Sequence, residues 1–256
     1  MDGNEAMRRR LGGRPLPILC YHRVLPNPPA GSRLRIYITR AALDRQLRQL
    51  ARRRMTTISF ADLLAARPLP KRPVILTFDD GYRDNYEHLL PLLEKHDARA
   101  TVFALGDRSL ATNRWDCEPG EPEAAALMSD EELAACAASG HIEIGSHGLA
   151  HRHLKQLDDA ELVHELAASK AALEAVTGTP VVSFAYPWGE YGPRERDAVA
   201  RAGYAFGIAT DRGQPILTDR YAAARRIMFP STGAFGFYKK TSAWYPHYRH
   251  LLGRPA

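Results

Sequence analysis

Strand-like and helix-like segments alternate along this chain, and that alternation restricts its fold more than any other feature of the sequence. Pro17-Ile18-Leu19-Cys20-Tyr21 reads as a first strand, Thr56–Phe60 as a second and Pro73–Phe78 as a third, with Gly81 supplying the turn behind it. Ala100–Ala104, Ile142–Ser146, Pro180–Ala185, Tyr204–Ala209 and an extended segment over about Ala223–Phe229 continue the series. Between them, 41–54 sets Leu43, Leu47 and Leu50 on one helical face, and 84–96 reads as a helix in spite of Pro91. Ser129-Asp130-Glu131-Glu132 is a capping box. Asp158 with Glu161 opens a long amphipathic helix that Gly178 closes, and 193–202 is a further helix. Gly106–Met128 is irregular and polar, the composition of a surface loop that shapes a substrate site. The pattern predicts a distorted (β/α) barrel of about seven parallel strands, with an open doubly wound sheet as the alternative. A chain of 256 residues suits one such domain, expected over 16–256 behind a flexible basic tail, 1–15.

In a barrel the C-terminal ends of the strands converge on one face, where active sites are built. Tyr21-His22, Asp79-Asp80, His147 and Pro187-Trp188 each lie just past such an end, so four clusters distant in sequence fall into one site. The third strand runs into Thr77-Phe78-Asp79-Asp80-Gly81, two adjacent carboxylates and a glycine that permits a tight turn. His147 and His151 are four residues apart, and on a helical turn both rings would reach one ion. One carboxylate with two imidazoles is a common way to hold a divalent metal with a position left open. A cation bound to one of two adjacent carboxylates removes their repulsion. It also brings the pKa of a bound water towards ~7, leaving the other carboxylate to take the proton. These residues imply a metal-dependent hydrolase.

Composition narrows the setting. Hydrophobic residues make up 45% and charged residues 25%, as in ordinary globular chains. No apolar run approaches the ~18 residues that span a bilayer. Leu16–Cys20 is shorter than the roughly 7–15 apolar residues of a signal-peptide core, so a cytoplasmic location is expected, or export if the N-terminus has been trimmed. Cys20, Cys117 and Cys136 are sparse, odd in number and without CxxC spacing, which argues against a disulfide framework or a thiolate zinc site. Much of the +6 charge lies in Arg8–Arg10, Arg14, Arg33, Arg35, Arg40 and Arg52–Arg54. The expectation is a solvated basic face and a disordered tail, with an anionic partner as the alternative. No recognition motif supports nucleic-acid binding. The aromatic and basic segment from Phe235 to Tyr245 is expected to pack on the barrel, with contact to a membrane surface or lipid carrier as the alternative. His247 and His250 have no carboxylate partner close in sequence and receive no role.

Thr77–Gly81 resembles the TFDDG motif of the polysaccharide deacetylase family, carbohydrate esterase family four, also called the NodB homology domain. Ser146-His147-Gly148-Leu149-Ala150-His151 resembles its second motif, and Phe184-Ala185-Tyr186-Pro187-Trp188-Gly189 its third, in the FAYPYG form. That form occurs in the branch that includes biofilm poly-N-acetylglucosamine deacetylases. Ile18-Leu19-Cys20-Tyr21-His22-Arg23-Val24, Ala100-Thr101-Val102-Phe103 and Leu127-Met128-Ser129 resemble the same branch. The resemblance runs from about residue 16 to 228.

The resemblance implies a barrel hydrolase that removes acyl groups, most directly N-acetyl, from an amino-sugar-containing glycan. It makes Asp79 the general base and gives Asp80, His147 and His151 to a divalent metal, usually Zn2+. The metal and the backbone N–H of Trp188, beside Pro187, would stabilise the oxyanion. His22 matches the branch's N-terminal histidine and would protonate the departing amine, since Arg226-Ile227-Met228-Phe229 carries no late histidine. The usual third motif carries an arginine that orients the base; Ala185 stands there, and Arg226 is expected to supply the charge. Gly148 stands where Ser or Thr often follows the first histidine, so a less rigid loop is expected. Trp188 and Tyr82 are expected to stack on a sugar, with Tyr191 and Trp115 as further candidates and loop packing as the other role for Trp115. Two other functions remain open: the same chemistry on a small or lipid-linked sugar, and non-catalytic carbohydrate binding. Ala185 motivates the latter, and intact Asp79, Asp80, His147 and His151 oppose it.

Overall fold

The computed structural model describes residues 3–28, 35–117, 125–210 and 215–245. Arg33, His247, His250 and residues 118–124 of the polar loop lie outside the described residues. The elements run in chain order α1 (Gly3–Leu11), β1 (Ile18–Tyr21), β2 (Arg23–Leu25), β3 (Tyr37–Thr39), α2 (Arg40–Arg52), β4 (Thr56–Thr57), α3 (Phe60–Leu64) and β5 (Pro73–Phe78). They continue with α4 (Leu90–His96), β6 (Ala100–Ala104), α5 (Asp130–Ala138), β7 (Ile142–Ser146), α6 (Asp159–Thr177), β8 (Ser183–Ala185) and α7 (Pro193–Arg201). The last are β9 (Phe206–Ala209), β10 (Ala223–Ala224), β11 (Arg226–Ile227) and α8 (Ala234–Lys240).

The main sheet has the order β10-β9-β8-β7-β6-β5-β1-β11, and its pairings are parallel. β10 and β11 are halves of one extended segment separated by Arg225 alone. The first half pairs with β9 and the second with β1, so this segment spans the gap between the sheet edges and nearly closes the barrel. Side chains alternate across the wall. Leu19, Tyr21, Val74, Leu76 and Phe78 face the helices in one core. Ile18, Ile75, Phe103, Ala185, Phe206, Ile208 and Ala223 fill a second core inside the barrel.

The expected tail is instead part of this second core. α1 buries Met7 and Leu11 there, and α3 adds Phe60, whose ring lies 6.1 Å from Phe103 and 5.4 Å from Phe206. The basic residues near α1 hold carbonyls: Arg8 donates to Leu217 O at 2.8 Å, Arg10 to Asp62 O at 3.1 Å and Arg14 to Lys71 O at 2.6 Å. Two apolar side chains at helical spacing outweigh the charge run between them.

The expected helix over 84–96 starts as a π-turn, Asn85–Leu89, and becomes α4, with Pro91 in the first turn where its missing N–H is not needed. α5 and α6 carry the expected capping boxes, at Ser129 with Glu132 and at Asp158 with Glu161. Phe237 of α8 is fully buried against the outer core, so this C-terminal helix packs on the barrel. Among the described residues, no helix is long and apolar enough to cross a membrane.

Candidate active site

Asp80, His147 and His151 meet at the C-terminal mouth of the barrel. Asp80 Oδ1 lies 3.4 Å from Nε2 of each histidine, and all three side chains are buried. Tetrahedral ligands about 2.0–2.1 Å from an ion sit about 3.3 Å apart, so the three donors fit one divalent cation. His147 Nδ1 donates to Ala185 O at 2.8 Å, which leaves its Nε2 lone pair facing Asp80, the orientation a ligand needs. Burial pushes the His147 pKa down to about 4, so the ring is neutral at neutral pH. Burial opposes ionisation of Asp80, but the His151 hydrogen bond and the surrounding imidazoles outweigh it and hold the carboxyl below the usual range. A carboxylate oxygen and an imidazole lone pair at this separation repel each other unless a cation lies between them. Among the described residues the buried His151 Nδ1 has no hydrogen-bond partner, so packing fixes this ring. Trp115 stacks on it at 4.8 Å and 15°, and Trp188 meets it edge-on at 4.8 Å and 77°.

The backbone around these groups is turned tightly. Asp80, His151 and Trp188 have φ of 73°, 54° and 59°, in the left-handed region that side chains other than glycine seldom occupy. His147 and His151 do not share a helical turn, as their spacing predicts. His147 follows the end of β7, and the chain bends through Gly148 at φ 87° to bring His151 back. Nor is this loop loose. Glu165, buried on α6, accepts from Leu149 N–H at 2.8 Å and Ala150 N–H at 2.9 Å through one oxygen. Ser146 Oγ accepts from Gly148 N–H at 3.2 Å, and Gly106 and Asp107 N–H donate to Gly148 and Leu149 O. A Cβ on Gly148 would stand 3.0 Å from Glu165 Oε1, so glycine is needed here for both φ and space.

Asp79 lies one residue from the triad and points into the barrel. Its partner is Arg225, not Arg226. The Arg225 guanidinium is 1% exposed; it binds Asp79 Oδ1, donates to Thr77 Oγ1 at 3.2 Å and to Ala209 O at 3.1 Å, and covers the Phe103 ring. Strand alternation sends residue 226 the other way: Arg226 binds the carbonyls of Lys240 and Ser242 and lies over the Tyr245 ring. Burial raises the pKa of Asp79, but Arg225 overcomes it, and the carboxyl is held below its ordinary value. Cys20 Sγ is 3.7 Å from Asp79 Oδ2, and His22 lies in the same cluster.

The aromatic expectations divide. Trp188 is 43% exposed at the rim, stacked on His153 at 4.9 Å. Tyr82 is 0% exposed, packed with Leu105 and Leu127, and accepts from Asn113 at 2.9 Å, so it offers no ring face to a sugar. Pro187 is buried and starts the turn that presents Trp188. Tyr191 is half-buried and stacks on Tyr186 at 4.9 Å. Sequence reasoning missed Arg225, Glu165 and the role of Trp115 over His151. The period-two alternation of 223–227 carries the signal for Arg225, because Ala223 and Arg225 share the inward face.

A parallel barrel with this chemistry at its strand ends belongs to the amide-hydrolysing deacetylase class of enzymes. The sequence profile of the family described as polysaccharide deacetylase matches residues 66–207, and the chain belongs to that family. It is 27% identical over 230 residues to the polysaccharide-deacetylase-like protein YxkH of Bacillus subtilis (strain 168), covering 87% of this chain and 75% of the relative. Solved structures share the fold. The deacetylase PplD of Streptococcus pyogenes, in complex with acetate, aligns with a TM-score of 0.75 and 21% identity over 89% of this chain and 98% of its own. IcaB of Ammonifex degensii aligns with a TM-score of 0.71 and 24% identity, over 90% and 98% of the two chains. The de-N-acetylase of Aggregatibacter actinomycetemcomitans aligns with a TM-score of 0.73 and 19% identity, over 88% and 99%.

Proposed function

We propose that this enzyme is a divalent-metal-dependent hydrolase that removes N-acetyl groups from amino sugars of a glycan. The observation that carries the reading is the spacing of Asp80, His147 and His151 around a common point, with a second, arginine-paired carboxylate beside them. Those three residues would hold the ion, and two imidazoles with one carboxylate suit zinc. Bound there, zinc supplies Lewis acidity and brings the pKa of a water towards about 7.

The remaining chemistry belongs to the chain. Arg225 keeps Asp79 ionised and fixes its Oδ1, leaving Oδ2 to take the proton from the attacking water. The backbone N–H of Trp188 donates to the oxyanion of the tetrahedral intermediate. His22, clustered with Asp79, gives a proton to the departing amine. The exposed Trp188 ring offers a face to the sugar. Arg225 also removes the motive for a non-catalytic scaffold, because the charge missing at Ala185 arrives from another strand.

The test is chelation and reconstitution, followed by acetate release from N-acetylglucosamine oligomers, a nucleotide sugar and a lipid-linked sugar. Loss of turnover on stripping and its return with zinc, on the oligomers, is the expected result. Full turnover by metal-free protein overturns the metal requirement, and release confined to the other two substrates overturns the glycan assignment.

A further inference from the structure

A second ligand group lies on the other side of the Asp79–Asp80 pair. A thiol, an imidazole and a carboxylate oxygen of Cys20, His22 and Asp79 all lie within 4.8 Å of one another. We propose that these three side chains form an inhibitory site for a second zinc-like cation, filled only when metal is in excess. The inference rests on the function proposed above and concerns the regulation of the same site.

The geometry is that of a ligand set. Cys20 Sγ and Asp79 Oδ2 are 3.7 Å apart. Tetrahedral zinc with sulfur at about 2.3 Å and oxygen at about 2.0 Å puts those atoms about 3.5 Å apart. Cys20 pairs with Thr77 across β1 and β5, so Cys20 and Asp79 both look into the barrel, with His22 just above Cys20 on the same side of β1. Thiolate and imidazole donors suit zinc, cadmium and cobalt better than magnesium or calcium.

Thiol deprotonation and charge repulsion make this site weaker than the first. Burial holds the Cys20 proton well above the ordinary thiol range, and the thiol must release it to solvent as the sulfur–metal bond forms. The Arg225 guanidinium on Asp79 Oδ1 repels an incoming cation, as does an ion already held by Asp80. Occupation therefore follows occupation of the first site. Its effect is direct, because Asp79 Oδ2 and the His22 ring become ligands, and neither can then move a proton in the reaction.

Sulfur makes the two sites separable, since Asp80, His147 and His151 offer only oxygen and nitrogen. Metal-free full-length protein is titrated with cobalt(II) while near-ultraviolet thiolate-to-cobalt absorption and acetate release are followed together. The first equivalent is expected to restore turnover with no sulfur band. Further equivalents are expected to produce the band and suppress most of the turnover in parallel. Cys20→Ser is expected to keep the first-equivalent turnover, show no band and resist suppression; a Cys117→Ser/Cys136→Ser double variant is expected to behave as the wild type. Suppression without a band, a band that survives in Cys20→Ser, or suppression unchanged in that variant overturns the proposal. If Cys20→Ser does not fold, a band that persists in the double variant supports the site and its loss there overturns it. If the first equivalent restores nothing, the metal-dependent reading fails, while the band still decides whether Cys20 binds the ion.

Discussion

The strand β7 carries acid–base chemistry at both of its ends, half-buried at Glu143 and buried at His147, and the two ends behave differently. Near its start, Glu143 accepts from Ala61 N–H at 2.6 Å and from the Thr101 hydroxyl at 3.4 Å. Close by, Asp62 is bound within a capping box with Ser59 and paired with Arg99 at 3.2 Å. These contacts use the oxygens up. Just past the other end of β7, His147 Nε2 faces Asp80 Oδ1 at 3.4 Å, over a backbone forced into left-handed conformations at Asp80, His151 and Trp188. Buried titratable groups alone do not make a site. Spare valence converging on one point, held by backbone that would relax if it were free to, distinguishes the mouth of this barrel from its floor.

Substitutions at the two ends sharpen that contrast. The largest effect is expected at the base: Asp79→Asn should lower turnover by about 10²–10⁴-fold, the usual contribution of a positioned general base. Steady-state acetate release measures it, and a variant within a few-fold of wild type removes Asp79 from that role. Next comes the arginine. Arg225→Met leaves the Asp79 carboxylate buried and unpaired, which costs about 3–5 kcal/mol in such settings, and it should lower both the denaturation midpoint and turnover. Arg226→Met, which loses contacts to the Lys240 and Ser242 carbonyls and the Tyr245 ring on the outer side, should leave turnover close to wild type. Equal losses in the two variants would contradict the inward placement of Arg225.

The smallest effect on catalysis is expected at the floor. Glu143→Gln should turn over substrate like the wild type, because no reacting group is near it. Its signature lies in stability. Burial raises the Glu143 pKa from 4.5 to about 7, so the fold favours the protonated acid. The stability this group contributes is present in full below about 4.5 and is lost as pH rises through about 7. Thermal midpoints across that range should therefore fall less steeply in Glu143→Gln than in wild type. Parallel curves would show that Glu143 is not held protonated.

Much of this was legible in the sequence, because the residues that matter sit next to strong punctuation. An apolar strand ending in Thr77-Phe78-Asp79-Asp80-Gly81 fixes where the carboxylates emerge, and strand–helix alternation brings them to one face with His22 and His147. What failed depends on information that local pattern does not hold. Arg225 and Arg226 are equally plausible by charge, and a shift of one residue in register exchanges the barrel interior for its outside. Tyr82 follows the motif closely, yet its ring is claimed by Leu105 and Leu127, which come from distant loops. Glu165 lies 16 and 15 residues along the chain from Leu149 and Ala150, the loop residues it secures, and only the packing of α6 brings it there. The arginines ahead of β1 read as a solvated tail, since two apolar side chains, Met7 and Leu11, are a faint signal beside three consecutive charges.

On the proposed function, one cation is held by Asp80, His147 and His151 while Asp79 stays outside its grip. Bound metal and acetate release, measured on the same preparations of wild type, Asp79→Asn and His151→Ala after excess metal is removed, test it directly. One ion per chain is expected in wild type and in Asp79→Asn, turnover in wild type alone, and little metal in His151→Ala. An Asp79→Asn protein that has lost its ion, or a His151→Ala protein that keeps a full complement, would contradict it.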